Sequence, residues 1–155
     1  MKTLLITLLS WFSTLSVGIA QEMTPVLWSY TVERNAGNDT ITVRMDASIA
    51  PMWYLYAEKE DKDSLSVGLH VKITQTENCM AVGVPDFSNT KLYHSSGLDE
   101  SYVVMQDRGS IRQRFVKTKA TGRAQLSIDY MAMSEDVQRQ QGVVVKKSEK
   151  IDVEF

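Results

Sequence analysis

The chain has 155 residues, with 17 Lys and Arg against 19 Asp and Glu and a formal net charge of −2. That balance gives no bulk attraction to nucleic acid or to an anionic membrane surface, and the length suits one domain. Cys79 is the sole cysteine, which excludes an intramolecular disulfide and any dithiol chemistry within the chain.

Residues 1–20 read as a signal peptide. Lys2 supplies the positive start, Leu4 to Leu15 is mostly apolar, and Gly18-Ile19-Ala20 places small residues at the cleavage positions. The apolar stretch is short and broken by Thr7, Ser10, Ser13 and Thr14, whereas a spanning helix needs roughly 20 predominantly apolar residues. Cleavage before Gln21 is expected, leaving residues 21–155 as a single exported domain, periplasmic or secreted. No later segment has the length and apolarity of a membrane span, so the mature chain is expected to be soluble.

Strand signals then run along the mature sequence. Trp28, Tyr30 and Val32 share one face of a first segment, Val26 to Glu33. The turn residues Asn35-Ala36-Gly37-Asn38 lead into Ile41, Val43, Met45, Ala47 and Ile49, which alternate with polar neighbours. The two segments predict a hairpin. Weaker candidates follow at Trp53 to Glu58, Met80 to Val84, Tyr102 to Gln106 and Ile111 to Lys117. Leu69, Val71 and Ile73 alternate with polar residues, and Glu58 to Ser66 reads as a solvated loop. Thr121-Gly122 precedes the strongest pattern, Ala124, Leu126, Ile128, Tyr130 and Ala132. Val143 to Lys147 and Ile151 to Phe155 predict a terminal strand or a bulged pair. No window of ten residues has a helical period. The reading is all-β, an immunoglobulin-like antiparallel β-sandwich, with a small barrel as the alternative.

Three stretches carry a family resemblance. They are Val26 to Tyr30 leading to Pro51-Met52-Trp53-Tyr54-Leu55-Tyr56, then Gly109 to Phe115 with Gln113, then Gln125 to Ala132 ending in Tyr130-Met131-Ala132. Together they resemble the N-terminal periplasmic domain of DsbD, the thiol:disulfide interchange protein, across nearly the whole mature chain. The resemblance implies a sandwich fold and protein-disulfide reductase activity through two cysteines that follow the third stretch. This chain departs at that place: Met133 stands at the first cysteine position, and Gln138 or Arg139 at the second. Neither a thioether nor an amide can attack a disulfide. Met52 also stands where the family has a glycine-like position before the tryptophan.

The expected function is therefore a non-catalytic protein-binding module, redox-inactive because Met133 and Gln138 replace the cysteines. Its partner would be another periplasmic or envelope protein. Alternation sends Trp53 and Leu55 to one face and Tyr54 and Tyr56 to the other, where exposed tyrosines suit an interface. Tyr102, Tyr130 and Arg139, near the former redox end, complete the candidate partner-binding set. The alternative is a thiol–disulfide exchange accessory acting through Cys79, set against the burial usual for a free cysteine. No Lys, Arg or His flanks Cys79 closely enough to depress its pKa. His70, His94 and Cys79 lack ligand spacing, so no metal is expected, and no motif calls for a cofactor. Arg108, Arg112, Arg114, Lys117, Lys119 and Arg123 make a local basic cluster, read as a solvated outer face or a surface for an acidic partner.

Overall fold

A computed structural model describes residues 24–34, 39–59, 68–95, 100–134 and 143–155. The signal-peptide reading, the Asn35 to Asn38 turn, most of the polar loop after the third strand, Gln138 and Arg139 lie outside the described residues.

Eight strands form, and every pairing between them is antiparallel. They are β1 (Val26–Arg34), β2 (Thr40–Ile49), β3 (Trp53–Lys59), β4 (His70–Glu77), β5 (Cys79–Ser95), β6 (Glu100–Lys117), β7 (Arg123–Ser134) and β8 (Val143–Glu154). No helix occurs among the described residues. One layer runs β1-β2-β6-β5 and the other β4-β7-β8. Strand β3 joins them: Trp53 to Leu55 pairs with β7, while Leu55 to Lys59 pairs with β6. This is the expected immunoglobulin-like β-sandwich, with its two layers linked at one corner by a shared strand.

Period-two alternation builds the interior. Ile41, Val43, Met45, Ala47 and Ile49 of β2 are all buried, as are Ala124, Leu126, Ile128, Tyr130 and Ala132 of β7. Ile111 and Phe115 come from β6, and Leu55 seals the corner from β3. Each Val, Leu, Ile, Met or Phe among them contributes about 1.5–3 kcal/mol by leaving water. Phe155 packs its ring 5.8 Å from that of Phe115. Reciprocal backbone hydrogen bonds between Gly122 and Phe155 tie the C-terminus beside the start of β7.

Two strands outran their sequence signals. The segment from Met80 to Val84 is the beginning of β5, which continues to Ser95. Strand β5 is an edge strand whose ladder shifts register between Val82 and Asp86 and again between Ser88 and Thr90. Pro85 lies in the first of these breaks, where a missing N–H costs no ladder bond, and Gly83 adopts φ 72° beside it. An edge strand has little reason to alternate, so its pattern was weak. The segments Tyr102 to Gln106 and Ile111 to Lys117 are one strand, β6. Between them the strand exchanges β3 for β2 as partner. Asp107 takes φ 61° there, and a Cβ at Gly109 would stand 2.1 Å from Met105 Sδ, so that any larger residue would force the buried Met105 side chain to move. Of the two readings of the last segments, the terminal strand holds: they form one continuous strand, β8, in unbroken register with β7.

The corner before β3 is a tight turn. Trp53 N–H donates to the Ala50 carbonyl oxygen at 3.1 Å, with Pro51 and Met52 between them. Met52 adopts φ 66°, the left-handed conformation that the third position of such a turn demands and that glycine takes without cost.

Candidate functional site

The corner strand carries large side chains on both faces. Leu55 is fully buried in the main core and Trp53 packs partly against it. The opposite face was expected to expose Tyr54 and Tyr56. Instead Tyr56 is 7% exposed and belongs to a second cluster with Tyr102 and Val104 of β6. Tyr54, Tyr93 of β5, and Met131 and Met133 of β7 pack around it, each partly buried.

Pairing explains the cluster. Tyr54 is the register partner of Met133, Tyr56 of Val104, and Tyr93 of Tyr102. Four strands therefore bring bulky side chains together on the outer face of the sheet, where β3 passes from β7 to β6. The Tyr56 and Tyr102 rings meet edge to face at 5.2 Å, and those of Tyr54 and Tyr93 lie 5.0 Å apart and tilted. Such ring pairs are worth about 0.5–1.5 kcal/mol beyond burial. Tyr56 O–H donates to Met133 Sδ at 3.3 Å. Lys91 holds its ammonium 5.7 Å from the centre of the Tyr54 ring and also donates to Gln106. The result is a braced, partly accessible aromatic and thioether surface. Its rings pack against one another and against Met133.

Other candidate residues fall elsewhere. Tyr130 points inward, 3% exposed, with its ring 5.8 Å from that of Trp28. Burial, followed by the charge of Glu149, pushes its phenol pKa up. Tyr130 thus belongs to the main core and not to the outer cluster. Cys79 begins β5 at the opposite end of the sandwich. Its thiol is buried and donates to the carbonyl oxygen of Arg123, the first residue of β7, at 3.1 Å. Burial pushes the thiol pKa up, which favours the protonated thiol over the nucleophilic thiolate. Met133 stands ten positions along β7 from Arg123, about 30 Å at strand spacing.

Gln113, singled out in sequence, is a core residue at 1% exposure. Its Nε2 donates to the carbonyl oxygens of Val82 at 3.3 Å and Arg114 at 3.0 Å. It thereby satisfies backbone at the place where the β5 ladder shifts. Among the described residues no group of three or more His, Cys, Asp or Glu could hold a metal, and no helix is long and apolar enough to cross a membrane.

Sequence reasoning missed Tyr93, Val104, Met131 and Lys91. The available signal was repetition of large residues at i and i+2 on three strands: Tyr54 and Tyr56, Tyr102 and Val104, Met131 and Met133. Only the strand order makes those pairs neighbours.

Comparison with known proteins places this architecture. No protein-family model matches the chain, and no curated protein sequence matches it. Among solved structures, it is similar to the N-terminal periplasmic domain of ScsB from Proteus mirabilis. The TM-score is 0.55 at 10% identity, over 86% of this chain and 47% of that one. It is also similar to the DsbD N-terminal domain of Neisseria meningitidis in the reduced form, with TM-score 0.50 and 17% identity over 81% of this chain and 88% of that one. The chain thus spans about half the length of the ScsB structure. The fold is of the DsbD N-terminal-domain type.

Proposed function

We propose that this domain is an exported, periplasmic protein-binding module that works without thiol chemistry and meets its partner through the Tyr54–Tyr56–Tyr93–Met133 face. The observation that carries the reading is the bond from Tyr56 O–H to Met133 Sδ inside a packed aromatic cluster. On the alignment drawn from sequence, Met133 occupies the place of a redox cysteine in the similar domains, and here its sulfur serves as a packing and acceptor group. A thioether cannot form a mixed disulfide. The one thiol lies buried at the far end, too distant to substitute for it.

A surface of braced rings suits a protein ligand. Tyrosine presents large area with few rotatable bonds, and these rings are already fixed by mutual packing, so little side-chain entropy is lost on binding. Lys91 at the margin adds a charge that an acidic or carbonyl-rich partner segment would meet.

The test is photo-crosslinking in cells from a reactive amino acid placed at Tyr54, Tyr93 or Met133, with Thr74 on the far β4 strand as control. Capture of one defined envelope protein from the first three positions and not from Thr74 is expected. Equal capture from Thr74, or none from the cluster, would remove the proposal.

A further inference from the structure

The outer face of β6 changes character halfway along its length. Tyr102 and Val104 belong to the aromatic cluster, whereas Arg108, Ser110, Arg112 and Arg114 project from the same face beyond the exchange of partners. Register fixes what surrounds them. Ser110 sits opposite Asp46 on β2 and Ser88 on β5, and Asp46 in turn sits opposite Ser29 on β1. A row of small polar residues therefore crosses four strands. Arg108 flanks it on one side, and the directly opposed pair Arg44 and Arg112 flanks it on the other. The short row between long side chains makes a groove of about 640 Å³.

The charges in this groove are unequally spent. Arg44 Nε donates to both carboxylate oxygens of Asp46 at 3.0 Å, and its Nη1 lies 3.6 Å from Glu33 Oε1. Asp46 is thereby neutralised. Arg108 and Arg112 make no hydrogen bond or ion pair with any described residue, although Asp86 is the register neighbour of Arg112. Ser110 supplies a second and independent sign. It is 8% exposed, yet its Oγ has no hydrogen-bond partner among the described residues. A buried hydroxyl left unpaired is costly, and Ser110 is one of the residues that line the groove. Arg108 and Arg112 are each two residues from Ser110 along the strand, about 6.6 Å, within reach of an extended arginine side chain.

We infer that this groove is an oxyanion-binding site, in which Arg108 and Arg112 close from either side on a phosphate, sulfate or carboxylate group that accepts a hydrogen bond from Ser110 Oγ. Paired guanidinium forks match such groups in geometry as well as charge, which lysines would not. The ligand is small, because the two cations and the hydroxyl lie within five consecutive residues of one strand. The site is separate from the aromatic face: Tyr93 pairs with Tyr102 near the start of β6, and Ser88 pairs with Ser110 eight residues further along it.

The test is titration of the purified protein with inorganic phosphate, sulfate and succinate at constant ionic strength, with chloride as control. Amide shifts of Ser110 and Arg112 are followed by NMR. Saturable shifts with at least one oxyanion are expected, weakened tenfold or more in Arg112→Gln, several-fold in Ser110→Ala, and unchanged in Arg123→Gln. Whichever of the three binds tightest names the oxyanion class. Shifts that never saturate, that match chloride, or that survive unchanged in Arg112→Gln and Ser110→Ala would overturn the assignment.

Discussion

The inner and outer faces of the β3 corner are both packed, but by different means. Inside, Leu55 joins a large core, mostly aliphatic, many of whose members announce themselves by strict alternation along β2 and β7. Outside, Tyr56, Tyr102 and Val104 are nearly as buried, yet no single strand encodes their cluster. The contrast teaches that a sheet can acquire a second, smaller hydrophobic centre wherever a short strand changes partners. At such a place three or four strands present bulky residues to one another, and the usual solvent face is crowded shut. The tyrosines and methionines gathered there are of the types enriched at protein interfaces.

The largest expected difference separates the main core from everything outside it. Phe115→Ala removes a fully buried ring and its contact with Phe155, and should cost about 3–5 kcal/mol in denaturant unfolding. A loss below about 1 kcal/mol would mean that the two layers do not share one core. Next comes the turn that launches β3. Met52→Gly relieves a left-handed residue that is 57% exposed and should raise stability by about 1 kcal/mol. A fall in stability would show that the Met52 side chain has a packing role outweighing its backbone cost.

On the outer face, Tyr56→Phe keeps the ring that meets Tyr102 and removes the donation to sulfur. It should cost less than about 1.5 kcal/mol. A larger loss would make the O–H to Sδ bond the keystone of the cluster rather than one brace among several. At the other end of the sandwich, the raised pKa of Cys79 sets a sign for pH dependence. The folded thiol stays protonated after the unfolded one ionises, so its contribution is intact below about pH 8.5 and is lost as pH rises toward the folded value. Cys79→Ala should flatten that alkaline decline, measured by thermal unfolding across pH 7.5–10.5, an interval chosen to span the ordinary thiol pKa of about 8.5. Smallest of all is the exposed pair of Lys72 and Asp129 at 2.6 Å. The ammonium, foremost through its hydrogen bond, lowers the Asp129 pKa. Lys72→Met should raise it in an NMR titration with little change in stability near neutral pH.

How much was legible in the sequence depended on burial. The hairpin of β1 and β2, the face of β7 and the all-β class followed from period-two alternation, because those strands have one wet and one dry side. Strand β5 was largely hidden, since an edge strand broken by Gly83, Pro85 and Asn89 carries no steady pattern. Strand β6 looked like two segments because the Asp107 and Gly109 kink interrupts it. The candidate site was half visible. Tyr54, Tyr56, Tyr102 and Met133 were named from sequence, but as exposed or degenerate positions. Their union with Tyr93 and Met131 depends on strand order, which alternation does not specify. Tyr130 was counted among the candidate partner-binding residues near the former redox end, although its parity with Leu126 and Ile128 already turned it inward.

The central claim is that recognition happens at the aromatic end and needs no sulfur exchange. Its most direct test is to capture the partner from a photoreactive residue at Met133 in wild-type and Cys79→Ala cells, and to compare the complexes with and without reductant. The account predicts the same partner, in the same yield, from both strains and in both conditions. A partner held by a reducible bond that disappears with Cys79→Ala would contradict it.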